Sequence, residues 1–511
     1  MPSENNKRIA KNTLMLYIRM LLTMGVSLYT SRVVLATLGV EDFGIYGVVG
    51  GVVSMFSFLN LAMVSSTQRY LTFGLGKNNR EWLSKIFSTT ILIHCLIALI
   101  IVILTETVGL WFLYNKMTIP LGRLNAAFWV LQFSVLSTVV VVMTVPYNAT
   151  IIAHEKMSAF AYISLLEVTL KLVVVYLLTI TKVDRLIFYA VLILLVQLLI
   201  RMIYHQYCIK HFNESRFHWS WNRPLLKEIS SFAGWNLFGN LAAITFTQGL
   251  NLLLNVFFGP VLNAARAVAV QVQSAVVQFS SNFQTALNPQ ITKTYAMNEL
   301  SNMHLLIYRS SKYSFFMLYF LSLPILFETT QLLHWWLKEV PAHTVNFIRI
   351  ILFISMIDAT ANPLMIAAQA TGRIRLYQSV IGGILLLILP ISYVVLKMGG
   401  NPEAVFIVHL AIVSIAWIVR LYIIHPMIQI PISQYLTKVM GRVVAVGICS
   451  FMLVLAIRSF MQEGIIRFLT TGLSSVFFVA LFIYLLGLEK GERNALQKYA
   501  LRLVKRIGKN G

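Results

Sequence analysis

Apolar stretches long enough to cross a bilayer follow one another along this chain with little between them, and this limits its fold more than any other feature. A spanning helix needs about 20 mostly apolar residues, because each residue advances it by ~1.5 Å and the hydrocarbon core is ~30 Å thick. Fourteen stretches reach that length, at about 12–37, 44–66, 86–113, 123–146, 157–180, 186–208, 229–258, 263–288, 306–333, 344–368, 376–397, 403–425, 436–458 and 465–488. The expected fold is an all-α polytopic membrane protein with about 14 transmembrane helices. The stretches at 229–258 and 263–288 are the most polar, with Asn236, Asn240, Gln248, Asn251, Gln271, Gln273, Gln278 and Asn282. Such helices face a bundle interior or a water-filled cavity. Helix–helix hydrogen bonding is the alternative use of these residues.

Composition supports this. Of 511 residues, 58% are hydrophobic and 12% charged, against about 25% charged in a soluble domain. That excludes a soluble globular enzyme and a disordered chain. Lys and Arg number 41 and Asp and Glu 18, a net charge of +23. In a soluble protein this would suggest nucleic acid. Here the basic residues sit between apolar runs, so the expected partner is the membrane surface, with no nucleic acid. Cys95, Cys208 and Cys449 lie in or beside apolar runs without metal spacing, so neither a disulfide framework nor a zinc site is expected.

Basic residues also give an orientation. With the N-terminus cytoplasmic, 28 of the 41 fall on the inner side, nine on the outer side, and Arg19, Arg32, Lys171 and Arg349 within spans. Arg69, Lys312 and Arg420 are counted with the inner residues. An even number of spans then puts both termini in the cytoplasm. Lys7, Arg8 and Lys11 resemble the start of a signal peptide, but the following apolar stretch is too long and carries Arg19 and Arg32. No connection between spans is long enough for a separate catalytic domain, so no enzyme is expected. In the tail from Glu489 to Gly511, Leu496, Tyr499, Ala500, Leu503, Val504 and Ile507 share one helical face. Lys498, Arg502, Lys505 and Arg506 occupy the others. This is the pattern of a basic amphipathic helix on the inner leaflet, or of an ordinary basic tail.

A faint internal repeat is visible. Leu38-Gly39-Val40-Glu41-Asp42-Phe43-Gly44 joins the first two spans, and Phe258-Gly259-Pro260-Val261-Leu262-Asn263-Ala264 joins the seventh and eighth. Thr67-Gln68-Arg69 ends the second span and Pro289-Gln290-Ile291 the eighth. Pro146 is followed by Ala153-His154-Glu155-Lys156, and Pro363, at the same seven-residue interval, by Ala370-Thr371-Gly372-Arg373. Spans 1–6 and 7–12 therefore read as parallel copies. The expected plan is two pseudo-symmetric six-helix lobes, 1–228 and 229–426, two added helices at 427–488 and the tail at 489–511. Such a pair of lobes suits alternating access.

Several stretches resemble a known family. They are Arg8-Ile9-Ala10-Lys11-Asn12-Thr13 with Tyr29-Thr30-Ser31-Arg32-Val33-Val34-Leu35, Leu38 to Tyr46, Ser66-Thr67-Gln68-Arg69-Tyr70-Leu71, and Phe258-Gly259-Pro260 with Asn263-Ala264-Ala265-Arg266. They look like the polysaccharide (O-antigen, Wzx-type) flippases of the multidrug/oligosaccharidyl-lipid/polysaccharide exporter superfamily. The resemblance implies movement of an undecaprenyl-pyrophosphate-linked oligosaccharide from the cytoplasmic to the periplasmic leaflet of the bacterial inner membrane. It also implies proton or sodium coupling, no other cofactor, and other polysaccharide assembly proteins as partners.

Moving a pyrophosphate through hydrocarbon requires a hydrated cavity and local positive charge. Arg19 and Arg32 lie in the first span, thirteen residues apart and on different faces, each lining a cavity or snorkelling. Arg266 opens the eighth span, where its planar fork suits a pyrophosphate or anchors the outer surface. Glu167 and Lys171 stand four apart in the favourable order for an intrahelical pair, which leaves either self-neutralisation or substrate binding by Lys171. Asp358, followed by Asn362-Pro363, is read as the only acid deep in the second lobe. It is a candidate ion-coupling site, with Glu167 as a second; a hydrogen-bonded structural role is the alternative. Pro363 should free carbonyls nearby. The deep charges balance towards cations, which favours an anionic cargo over a multidrug or cation antiporter. A peptidoglycan lipid-precursor flippase fits the same charge. A membrane glycan polymerase or ligase fits less well, because such enzymes carry a large outer loop.

Overall fold

The computed structural model describes residues 2–494 and Gln497, apart from 56–57, 116, 118, 182, 220–221, 259 and 338–339. The amphipathic helix expected in the tail lies outside the described residues, except for Gln497. The side chain of Arg32 lies outside them too. The chain is all-α, with no strand among the described residues. In order come α1 (Pro2–Met55), α2 (Phe58–Gly76), α3 (Arg80–Asn115), α4 (Leu124–Ala153), α5 (Met157–Ile180), α6 (Arg185–His211) and α7 (Arg223–Phe258). Then come α8 (Pro260–Ala296), α9 (Leu300–Trp336), α10 (Thr344–Thr371), α11 (Arg375–Lys397), α12 (Ala404–Ile428), α13 (Ile432–Ser459) and α14 (Ile465–Gly487).

Eleven of these, all but α1, α2 and α8, are long and apolar enough to cross a membrane. The other three occupy the remaining expected stretches. α1 breaks at Gly39, where φ is 81° and ψ 168°, so the stretches 12–37 and 44–66 fall on either side of the break. Only glycine reaches that backbone region without strain. The protein is a multi-pass membrane protein. Its apolar exposure agrees: on α3, Leu96, Leu99 and Ile103 are each at least half exposed and share one face. That face needs hydrocarbon rather than water against it.

Two compact units are present. The first comprises 1–242, 285–299 and 369–382, the second 243–284, 300–368 and 383–511. In the first, Tyr70, Ile86, Phe87, Tyr147 and Ile229 are buried together. In the second, Leu323, Phe347, Leu352, Ile388 and Phe406 form the core.

Three residues counted by sequence among the inner basic residues prove to be buried: Arg69 is 8% exposed, Lys312 2% and Arg420 9%. Charge counting reads position along the chain, and a long side chain near a helix end can still turn inward. Arg69 lies against the rings of Tyr70 and Phe73, at 4.4 and 4.9 Å. It donates through Nη2 to the carbonyl of Ala370 at 3.1 Å.

At the other end of the first unit, Asp184 does two jobs. Its carboxylate caps α6 by accepting from the N–H of Leu186 at 3.0 Å and of Ile187 at 3.2 Å. It also binds Arg123 at 2.5 Å, while Asp42 accepts from Arg123 Nε at 2.8 Å. Partial burial pushes the Asp184 carboxyl up, but the Arg123 and cap hydrogen bonds outweigh it and hold it below the ordinary range. A depressed carboxyl contributes stability above its unfolded value, near 3.9, and loses it as pH falls through the folded value. Asp184→Ala should lower the melting temperature in detergent, losing about 0.5–2 kcal/mol for the cap. The deficit of Asp184→Asn at neutral pH should shrink below pH ~4. A deficit constant from pH 7 to 3 would contradict the ion-pair assignment.

Candidate functional site

Each unit holds a cluster of intramembrane polar groups. In the second unit, α7, α8, α9, α10, α11 and α12 surround a cavity of about 290 Å³. Its polar lining is Gln273, Ser280, Ser281, Ser355, Asp358, Asn362, His409 and Arg420. Asp358 is half-buried and faces this space, and Arg420 across it acts on Asp358 electrostatically. Arg349 is not part of the lining, as its half-turn offset from Asp358 requires. Arg266 is 7% exposed and donates through Nη1 to Asn251 Oδ1. Its charge reaches His409, which packs edge-on against Phe246.

Proline explains part of this geometry. Pro363 lacks an N–H, so the carbonyl four residues earlier, on Ala359, loses its helical donor. Gln284 Nε2 supplies one at 3.1 Å. The carbonyl of Thr360 takes Ser311 Oγ and Tyr435 Oη, each at 3.0 Å. α10 therefore runs on through the proline. On α8 both readings open at sequence level are served: Gln273 lines the cavity and also donates to Ser355 Oγ at 2.7 Å.

In the first unit the group is smaller. Lys171 donates to Glu167 at 2.6 Å, and Gln197 Nε2 donates to the same oxygen at 3.2 Å. The expected i, i+4 pair therefore forms, on α5. Arg19, on α1, stacks over Phe160 of α5 at 4.6 Å. Buried Tyr204 of α6 lies within electrostatic reach of both Arg19 and Glu167.

Sequence reasoning missed Arg420 and His409 as lining residues. A polar residue inside an apolar run was the available signal, but Arg420 is counted above with the inner basic residues. It also missed Glu328, so Asp358 is not the only deep acid of the second half. Glu328 on α9 is 3% exposed, held by Arg458 at 3.1 Å and Arg467 at 3.3 Å. Among the described residues, no His, Cys, Asp and Glu group could hold a metal ion.

No family model matches the chain, and no curated relative does. Solved structures do. A multidrug resistance MATE family transporter of the MOP superfamily, in its outward-facing conformation, matches with TM-score 0.70 and 14% identity. The match covers 83% of this chain and 96% of that one. The fold is MATE-like. A MATE structure in the straight conformation matches equally, at 0.70, 14%, 83% and 96%. A MOP superfamily transporter from Pyrococcus furiosus, described by the reverse polarity of its binding pocket, matches with TM-score 0.68 and 14% identity, covering 82% and 96%.

Removing one member of a close buried charge pair leaves the other uncompensated. Asp358→Asn and Arg420→Gln should therefore couple, with an interaction of about 0.5–3 kcal/mol in a double-mutant cycle. Thermal unfolding in detergent measures it. Simple additivity would show that the two groups do not interact across the cavity.

Proposed function

We propose that this chain is a flippase. It carries an undecaprenyl-pyrophosphate-linked oligosaccharide from the cytoplasmic to the periplasmic leaflet of a bacterial inner membrane, for polysaccharide or O-antigen assembly. One observation carries the reading: the polar group around Arg19 and the one around Asp358 each hold two cations and one carboxylate. In the first unit these are Arg19, Lys171 and Glu167. In the second they are Arg266, Arg420 and Asp358. An arginine in the middle of a span costs about 2.5–3.5 kcal/mol on insertion scales. An excess of such charge is offset when an anionic cargo arrives, and a guanidinium can grip pyrophosphate oxygens in pairs. A multidrug antiporter of the same fold exports cations, for which an excess of carboxylates would serve. The MATE-like fold suits either cargo; the charge balance favours the anion.

Two other features support the reading. The second unit has an apolar groove of about 710 Å³ along α9, α10, α12 and α13, lined by residues such as Phe315, Phe353, Trp417 and Phe451. A prenyl tail can lie there while the head crosses. Asp358 has amide and hydroxyl groups of Gln273, Ser355 and Asn362 around the same cavity, a setting for a proton or sodium ion. Glu167 is already engaged by Lys171 and Gln197, so Asp358 is the main coupling residue and Glu167 a secondary one. On the positive-inside reading both termini are cytoplasmic.

In reconstituted vesicles, the lipid-linked oligosaccharide should become accessible from the opposite leaflet with unchanged mass. Arg19→Ala and Arg266→Ala should each slow this about tenfold, the loss of one charge-assisted hydrogen bond. Asp358→Asn should keep cargo binding but lose the response to an imposed proton or sodium gradient. Full activity in the Arg19, Arg266 double Ala variant, or export of organic cations in place of the glycan, would overturn the cargo assignment. A change in glycan mass would indicate a polymerase or ligase.

A further inference from the structure

A second polar pocket lies apart from the group around Asp358. It has a volume of about 270 Å³ and sits where three chain segments converge in the second unit: the first turns of α9, the start of α13 and the residues after α14. All are helix ends, so the pocket lies at headgroup depth rather than in hydrocarbon. Its lining includes Tyr308, Arg309, Lys312, Gln434, Lys438 and Glu492.

The charges are only partly matched. Glu492 is shared by Lys312 at 2.8 Å and Arg309 at 3.3 Å. The other lining carboxylate, Glu489, is 3.8 Å from Arg442, which lies outside the lining. Among the described residues, Lys438 has no carboxylate partner; it donates to Gln434 Oε1 at 3.3 Å and lies 5.8 Å from the Tyr308 ring centre. Tyr308 is 8% exposed, and its hydroxyl has no hydrogen-bond partner among the described residues. A buried hydroxyl without a partner is costly, so its persistence beside a cavity points to a ligand.

We propose that this pocket binds a phosphate group, from the headgroup of an anionic membrane lipid or from free phosphate. The Lys438 ammonium and the Tyr308 hydroxyl are its donors, and the Gln434 amide is within the same lining. Arg309 and Lys312 add long-range attraction while Glu492 holds them in place. Basic pockets between spanning helices recognise anionic headgroups by this chemistry. The assignment is independent of the cargo.

The test uses the purified, delipidated full chain and measures binding by native mass spectrometry and thermal shift. The probes are phosphatidylglycerol, phosphatidylcholine and inorganic phosphate. Phosphatidylglycerol should bind and stabilise more than phosphatidylcholine. Tyr308→Phe removes only an oxygen, and Lys438→Gln only a charge near the surface, so neither threatens folding. Each should weaken binding about fivefold to tenfold, the effect of one lost hydrogen bond. Lys397→Gln, at an exposed helix end away from the pocket, should leave it unchanged. A response to phosphatidylglycerol but not to inorganic phosphate makes the source a lipid; an equal response to both makes it free phosphate. Equal binding by the parent, Tyr308→Phe and Lys438→Gln proteins, or no response to either probe, would overturn the proposal.

Discussion

Hydrocarbon offers no hydrogen bonds, and the rest of the structure depends on that fact. Every polar group within a span must find its partner in the chain or at a water-filled cavity. The environment of Pro363 is a direct consequence. Its missing N–H exposes the Ala359 carbonyl, and Gln284, thirty residues from its other partner Ser314, turns to meet it. Trp417 donates to the Thr360 hydroxyl at 3.0 Å in the same neighbourhood. Elsewhere the hydroxyls of Thr30, Thr72 and Ser414 fold back onto carbonyls one turn earlier in their own helices. Gln284, on one of the least apolar spans, is thus part of what keeps α10 helical beside the Asp358 cavity.

The same constraint sorts the charges. Glu328 is buried and satisfied by two arginines, and Glu167 by Lys171 and Gln197. Arg467 also pairs with Glu463 at 3.2 Å, so the Glu328 set balances its charges. The groups around Arg19 and around Arg266 with Arg420 retain a cation in excess of carboxylate. A lasting excess inside a membrane protein is expensive, and the proposed anionic cargo would offset it. That step links burial to function, and the fold alone does not supply it.

How far the sequence could be read follows from which interactions are local. Apolar length is local, so eleven of the expected spans return as helices long and apolar enough to cross a membrane, and the joint at Gly39, whose φ of 81° demands glycine, was legible too. The Glu167–Lys171 pair is one helical turn and was legible for the same reason. Asp358 and Arg420 meet across a cavity from different helices, and nothing in either neighbourhood announces the other. Arg69 and Lys312 were read as surface charge because the count of basic residues records side of membrane, not depth. The polysaccharide subtype rests on short motifs, since relatives in fold at 13–14% identity carry only the architecture.

The repeated motifs meet each other in a reciprocal way. Arg69 belongs to the motif ending the second span, and it donates to Ala370 in the motif after the tenth. It also fills the space beside Gly372, where an added Cβ would lie 2.6 Å from Nη2 and where φ is +78°. Glu155 belongs to the motif after the fourth span. It binds Lys293 at 2.6 Å and accepts from Gln290, in the motif ending the eighth. If the eighth span copies the second and the tenth the fourth, exchanging the copies turns one contact into the other. Both lie within the first compact unit. Glu155 is 3% exposed and sits at φ +59°, a left-handed position where glycine is usual, with its own carbonyl taken by Asn12 Nδ2 at 3.1 Å. That conformation aims its carboxylate at α8, and the strain is held by the contacts it makes. A buried carboxylate loses several kcal/mol when stripped of its cation. Separation from Lys293 would therefore need water or another donor at the carboxylate.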